Sequence, residues 1–327
     1  MSDRPTIVTT DVSLAADALR KGRLVAFGTE TVYGLGGDAT RPDVVASIFE
    51  AKGRPRFDPL IVHLAAAEDV SGVAAGWPDE AANLAAVFWP GPLTIVTPKT
   101  DRVPDLVTSG LPDVAVRVPG SAVARELIRQ SGVPVAAPSA NRFGAVSPTT
   151  AAHVLDQLAG RVDVILDTGP ATVGVESTVV RFDRGRCVLL RPGGVPLESI
   201  GAVAGAVDVA ADSQRGEAIT QGSPGRLPSH YSPGVPVRPS NSSGRAAPPG
   251  GPDVGLLAFG RRAEDWPGPR FVLSESGDLA EAASRLFSGL RRLAADGAAL
   301  IVVDPIPDTG LGRAINDRLR RASSAEP

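Results

Sequence analysis

The chain has few of the residues that build covalently or metal-held folds. Cys187 is its one cysteine, which excludes an internal disulfide. His63, His153 and His230 are its only histidines, which argues against a zinc site. Any metal is expected to be Mg2+ arriving with phosphates rather than held by a dedicated protein site. Aromatic residues make up 4% of the chain, too sparse a supply for a platform on which single-stranded nucleic acid would stack. Net charge is −3, which argues against a broad basic surface for nucleic acid and leaves room only for a local patch. No apolar run approaches the length of a bilayer span, and Met1 to Thr10 lacks a basic-then-apolar leader, so a cytoplasmic protein with no membrane partner is expected. Lysine is rare as well: 30 of 33 basic residues are arginine, and the lysines are Lys21, Lys52 and Lys99.

What is present describes a globular protein. The 327 residues exceed one typical core and suit two domains, and 43% hydrophobic with 21% charged residues is an ordinary soluble balance. Helix-like and strand-like segments alternate up to about Ser199. Helices are expected at Ser13–Lys21, from Pro42 through Ala51, from Pro78 to the Trp89-Pro90-Gly91-Pro92 turn, and at Ala122–Gln130 and Thr149–Leu158. Thr40 and Asp43 read as a capping box for the second of these. Strands are expected at Leu24–Phe27, Leu60–Leu64, Leu93–Thr97, Val114–Val118, Val133–Ala137 and Val162–Leu166. A hairpin, Val179–Phe182 with Cys187–Leu190, turns around Asp183-Arg184-Gly185.

Hydrophobic periodicity fades after Gly201, and Ser240–Pro252 reads as a second weak stretch. Strands at Val254–Ala258, Phe271–Leu273 and Leu300–Val303 then alternate with a helix marked by Leu279, Ala282, Ala283, Leu286, Phe287, Leu290 and Leu293, and with a last helix at Arg313–Arg320. The expected class is α/β (α+β): a twisted mixed sheet with flanking helices over 8–200, a linker or lid over 201–233, and a small C-terminal α/β domain over 234–327.

The pairing Lys52-Gly53-Arg54 sets a compact ammonium two residues from a planar guanidinium, which points to two electrostatic tasks at one site. Ser139-Ala140-Asn141 repeats that spacing with a hydroxyl and an amide, so in extended chain each pair projects to one side. Read alone, Lys52 serves equally well as the end of a surface helix and Ser139 as a cap.

These two motifs stand in one order with Thr29-Glu30-Thr31-Val32-Tyr33-Gly34-Leu35, Pro59-Leu60-Ile61-Val62-His63, Phe88-Trp89-Pro90-Gly91-Pro92-Leu93-Thr94, Pro138 and Gly174-Val175-Glu176-Ser177-Thr178. Together they resemble the YrdC-type threonylcarbamoyl-AMP synthases. Ser223-Pro224-Gly225 and His230-Tyr231-Ser232-Pro233 resemble the long, two-domain branch of that family.

The resemblance implies that ATP, L-threonine and bicarbonate or CO2 become threonylcarbamoyl-AMP and pyrophosphate. A downstream tRNA threonylcarbamoyl transferase complex would then modify the adenosine beside the anticodon, with at most a weak tRNA contact by this chain. It also implies catalytic roles for Lys52, Arg54, Ser139 and Asn141. Threonine is expected against Thr31, His63, Arg117, the Ala137 backbone and Ser177, and ATP against Arg54, Asp58, Ser139, Ser147, Arg191 and Tyr231. Ser147 or Thr149 equally suits an N-cap.

Four residues depart from the family pattern: Gly28, Asp58, Asp113 and Arg181. An anionic Asp58 beside phosphates would repel them unless magnesium or an arginine intervenes. Two other readings remain. An RNA or nucleotide-binding module without adenylating activity is disfavoured by the acidic balance, and a carbamoyl-adenylating enzyme fed by carbamoyl phosphate would turn over without threonine.

Overall fold

The structure, a computed structural model, describes residues 5–210, 230–239, 251–260 and 265–324. Contacts divide the chain into two units. One comprises Met1–Phe143, Pro148–Thr172 and Glu176–Arg226; the other comprises Gly144–Ser147, Val173–Val175 and Leu227–Pro327. The 211–229 part of the expected linker, and 240–250 of the second weak stretch, lie outside the described residues.

In the first unit the strands are β1 (Ile7–Thr9), β2 (Val25–Gly28), β3 (Tyr33–Asp38), β4 (Ile61–His63), β5 (Leu93–Pro98), β6 (Asp113–Arg117), β7 (Val135–Ala136), β8 (Val164–Leu166), β9 (Thr178–Asp183), β10 (Arg186–Arg191) and β11 (Val207–Val209). They form one mixed sheet in the order β1-β8-β2-β3-β7-β4-β6-β5-β9-β10-β11. Helices α1 (Val12–Arg20) and α5 (Ala122–Ser131) lay Ala15, Ala16, Leu19, Leu127 and Ile128 over Val25, Phe27, Val135, Val164 and Leu166. Each starts on a side-chain cap: Asp11 accepts from Ser13 and Leu14, and Ser121 accepts from Ala124.

On the opposite face α2 (Pro42–Lys52), α3 (Asp79–Phe88), the short α4 (Asp105–Thr108), α6 (Ala151–Leu158) and α7 (Leu197–Ala204) contribute Ile48, Phe49, Leu84, Val107, Val154 and Ile200 to the larger core. Burying each of the large aliphatic side chains contributes about 2 kcal/mol relative to exposure. A separate apolar cluster on the sheet, Ile61, Val96, Ala115, Val179 and Leu190, contains no helical residue. It leads along β4, β6, β5 and β9 to the candidate site.

Most expected elements form, and the differences have local causes. Helix α2 begins at Pro42, so its N-cap is Arg41, whose side chain makes no capping bond. Thr40 instead donates its hydroxyl to Asp38 at 2.7 Å, and the expected Thr40/Asp43 capping box does not form. The cap of α6 is Thr150, whose hydroxyl accepts from His153 N–H, and not Ser147 or Thr149. Residues 197–209, partly read as linker, make α7 and β11, and β11 extends the sheet beside β10.

The second unit is a parallel sheet of β12 (Val237–Pro239), β13 (Val254–Phe259), β14 (Arg270–Ser274) and β15 (Leu300–Val303), ordered β12-β15-β13-β14. It also carries α8 (Leu279–Ala295) and α9 (Gly312–Ser323). Asp278 caps α8, accepting from Ala280 at 2.7 Å and Glu281 at 2.9 Å, and the predicted apolar face is buried from Ala282 to Leu293.

Candidate active site

Register brings the strand-borne residues together. His63 ends β4 opposite Arg117, which ends the parallel β6. The antiparallel β5 starts at the same edge, and β9 runs parallel to it with Thr94 opposite Val179, which sets Ser177 near Thr94. The Thr94 and Ser177 hydroxyls lie 2.7 Å apart. Ala137 closes the group on the other side of β4, donating its N–H to the Ile61 carbonyl at 2.9 Å. With that N–H engaged, its carbonyl is the backbone group able to accept from an amine.

Arg117 is buried and fully organised. Nε donates to the Gly91 carbonyl at 3.2 Å, Nη1 to Thr31 Oγ1 at 2.9 Å, and Nη2 to Glu30 Oε1 at 2.5 Å. Three of five guanidinium donors are thus engaged, and two carry no hydrogen bond among the described residues. Thr31 is locked in turn. Thr29 Oγ1 donates to Val32 O at 2.7 Å, so at the 2.8 Å contact between the two hydroxyls Thr31 is the donor.

Burial opposes ionisation of Glu30, but the Arg117 charge and the Gly120 N–H prevail and hold its carboxyl below the usual range. Burial first and the Arg117 charge second push His63 down to about 3, so its ring is neutral. Its Nδ1 lies 3.3 Å from the Ile61 carbonyl.

The two motif pairs meet through backbone rather than side chain. Lys52, the last residue of α2, is buried and donates Nζ to the carbonyls of Ser139 at 2.5 Å and Asn141 at 2.6 Å. Its own carbonyl accepts from Phe143 N–H at 2.9 Å. Gly53, in the left-handed conformation, ends the helix at that point. Ser139 pairs with Gly34 of β3, and Ala140 N–H donates to Tyr33 O at 2.8 Å, which fixes the loop against the sheet. The Ser139 side chain is half-buried, and its hydroxyl makes no hydrogen bond among the described residues. Burial, then the nearby Arg54 charge, drives the Lys52 pKa well down, while Asp58 and Glu176 pull the other way.

Arg54 and Asp58 form a buried ion pair. Nη2 lies 2.8 Å from Asp58 Oδ2 with both side chains buried, and the guanidinium also donates to the Asp58 and Pro59 carbonyls. The arginine that an acidic residue needs here is supplied from four positions upstream. Arg191 ends β10 and holds Ser177 by its carbonyl at 2.8 Å and its hydroxyl at 3.2 Å. The expected ATP arginine and threonine serine are therefore one bonded unit.

Ser147 and Tyr231 belong to the second unit, where both are buried. Sequence reasoning passed over Glu30, Thr94 and Glu176 as site residues, although all three lie inside quoted motifs. The signal was available for Glu30, a carboxylate beside a threonine expected to meet a substrate. The distant partner that gives it a role, Arg117, is visible only in the fold.

Two family profiles match. Residues 17–193 match the Sua5/YciO/YrdC profile, described as Telomere recombination, and residues 195–324 match the threonylcarbamoyl-AMP synthase C-terminal domain. The chain is 41% identical over 323 residues to a threonylcarbamoyl-AMP synthase of Pyrococcus abyssi, covering 95% of this chain and 94% of the relative. It is likewise 41% identical over 324 residues to that of Bacillus subtilis, covering 95% and 92%. Among solved structures it is similar to P. abyssi Sua5 complexed with L-threonine, with a TM-score of 0.85, 37% identity and 98% of each chain covered. By matches that run through both units, the chain belongs to the threonylcarbamoyl-AMP synthase family.

Proposed function

We propose that this chain synthesises threonylcarbamoyl-AMP from L-threonine, bicarbonate or CO2 and MgATP. The observation that carries the reading is a set in which four buried basic side chains, Lys52, Arg54, Arg117 and Arg191, stand with the buried carboxylates Asp58 and Glu176 and the partly buried Glu30. A set so rich in cationic side chains suits anionic ligands, and the likeness to a protein crystallised with L-threonine supports the amino-acid half.

The threonine carboxylate meets the two remaining donors of Arg117, a planar fork already aligned by Gly91, Thr31 and Glu30. The substrate amine is held by the Ala137 carbonyl and the neutral His63 ring, and Ser177 completes that side. The amine attacks CO2, forming the N–C bond of a carbamate and losing a proton to solvent. A carbamate oxygen then attacks the α-phosphorus of ATP. The α–β phosphoanhydride bond breaks and pyrophosphate leaves with its electron pair.

Both reactants are anions, so catalysis rests on charge and position rather than on a strong base. Lys52 is the charge nearest the reacting atoms. Incoming phosphates raise its depressed pKa, which fixes the full ammonium where the charge develops. Ser139 donates its hydroxyl to phosphate, Asn141 orients the same loop, and Arg54, Asp58, Arg191, Ser147 and Tyr231 serve the nucleotide.

Magnesium belongs to the substrate in this reading. Among the described residues no group of three or more His, Cys, Asp or Glu gathers as a metal site, and Asp58 is engaged by Arg54. In this reading the phosphates themselves supply the ion's main ligands. The mixed anhydride passes to a tRNA threonylcarbamoyl transferase complex in the cytoplasm. No helix among the described residues is long and apolar enough to cross a membrane. The test is pyrophosphate release with ATP, threonine or bicarbonate omitted in turn. Release is expected only with all three, and release without threonine would refute the proposal.

A further inference from the structure

The second unit contains a stack of side chains with no obvious purpose in a small core. Tyr231 has a positive φ of 67°, a strained setting for a residue with a bulky side chain, and it is 1% exposed. Its ring stacks on Phe287 of α8 at 5.4 Å with planes 22° apart, and the His230 ring meets it edge-on at 4.3 Å. Arg318 of α9 lies 5.7 Å from the ring centroid and is fully buried. That buried charge is kept by Asp317, 3.4 Å away, which also binds Arg320 and Arg321 at 2.9 Å. Burial would raise the Asp317 pKa, but Arg318 and Arg321 hold it down at about 2, so the network stays ionised at neutral pH.

The backbone beside Tyr231 is tied to a second segment. Ser232 N–H donates to Gly144 O at 2.8 Å, Val146 N–H donates to Ser232 O at 3.2 Å, and Ala145 bridges Ser232 in parallel. Arg291 of α8 donates to the Val146 carbonyl. Gly144–Ser147, which includes the expected nucleotide residue Ser147, is thereby held within the second unit. Helix α8 also abuts Gly174, one turn from Phe287. A Cβ at Gly174, whose φ is 76°, would lie 2.4 Å from Ala283 O and 2.4 Å from Ser284 Cα. Gly174 is two residues ahead of Glu176 and three ahead of Ser177. Helix α8 thus touches the Gly144–Ser147 segment, Gly174 and the Tyr231 ring.

A buried ion network of this kind is a poor source of stability, because apolar residues of the same volume commonly do as well. Its value lies in fixing one arrangement. We propose that Phe287 and Arg318 are positioning residues for the nucleotide: they hold the Tyr231 ring and, through Ser232, the Gly144–Ser147 loop, without themselves touching ATP. The inference rests on the reading above that Tyr231 and Ser147 serve ATP, and it gives the C-terminal unit a defined part in the reaction.

The test is a double-mutant cycle on the full chain. Phe287→Leu and Arg318→Met each raise the KM for ATP about tenfold, the size a lost aromatic or cation–π contact carries. The threonine Kd, measured by calorimetry without ATP, stays within about twofold. Phe287→Tyr, which keeps the ring, restores the ATP KM. In a Tyr231→Ala background either substitution adds less than about twofold, because residues acting through one ring are not additive. Full additivity with Tyr231→Ala, or a threonine Kd that rises in step, would overturn the inference and reveal a merely structural role. Where Arg318→Met unfolds the unit, seen as loss of native Trp266 emission, Phe287→Leu decides. Wild-type protein that releases no threonine-dependent pyrophosphate defeats the enzymatic reading itself, whereas active wild type with additive variants defeats only this inference.

Discussion

Acidification should act on this fold through His63 in a direction opposite to that of a salt-bridged histidine. The ring is buried, and its pKa is pushed from the ordinary 6.5 to about 3 by desolvation and by Arg117. The unfolded chain therefore binds a proton below 6.5 that the folded chain refuses until about 3. The contribution is fully present above 6.5 and is lost progressively as pH falls through that window. Between about pH 7 and about pH 5 the shift spans roughly 1.5 pH units of unequal protonation, worth about 2 kcal/mol at 1.4 kcal/mol per unit.

Urea unfolding at both pH values, in wild type and His63→Gln, isolates the effect, since acid-sensitive groups elsewhere cancel in the difference. Emission from the stacked Trp77 and Trp89 rings, 5.5 Å apart, reports the first unit once Trp266 is replaced by Phe. Wild type should lose about 2 kcal/mol more than the variant over this interval. Equal losses, or a His63 proton resonance that titrates near its ordinary value in the folded protein, would refute the account. On the proposed function, the ring would meet the threonine amine as a neutral imidazole rather than as a cation.

Two further outcomes test the charges at the site. Lys52→Arg should lower kcat/KM for pyrophosphate release by at least about a hundredfold, because a planar guanidinium cannot sit between two carbonyls 2.5 and 2.6 Å from Nζ without shifting the Ser139 loop. Near-normal turnover would contradict the point-charge role. Arg117→Ala should raise the KM for threonine about thirtyfold, the equivalent of about 2 kcal/mol for a truncated buried charge pair, and that for ATP far less. Equal rises in the two constants would exclude a carboxylate clamp.

Elements with strong local periodicity were legible from the chain alone. Helices α1, α5 and α8 announce themselves by apolar stripes and capping residues, and the hairpin of β9 and β10 by Asp183-Arg184-Gly185, where Arg184 and Gly185 both take positive φ. Strand β3 was not legible, because Tyr33-Gly34-Leu35-Gly36-Gly37-Asp38 has the composition of a loop. Its glycines answer a tertiary demand: a Cβ on Gly36 would stand 2.7 Å from the Phe27 ring and 2.8 Å from Val135. Strand β11 is three residues long and mostly exposed, so pairing with β10 alone defines it.

Local sequence determined which chemistry the chain can do. Residue type fixes charge, hydrogen-bonding capacity and helix or turn preference, and those properties travel with Lys52, Arg54, Arg117, Ser139 and Ser177 wherever the fold puts them. Tertiary structure alone decided who answers whom. It turned Lys52 onto two carbonyls 87 and 89 residues away, gave Arg117 to Glu30 across 87 residues, closed Arg54 on Asp58 and locked Ser177 to Arg191. Pair energies and pKa shifts depend on separation and burial, which sequence spacing does not contain. The ammonium, the fork and the neutral imidazole therefore acquire their distinct roles only once the sheet has brought them together.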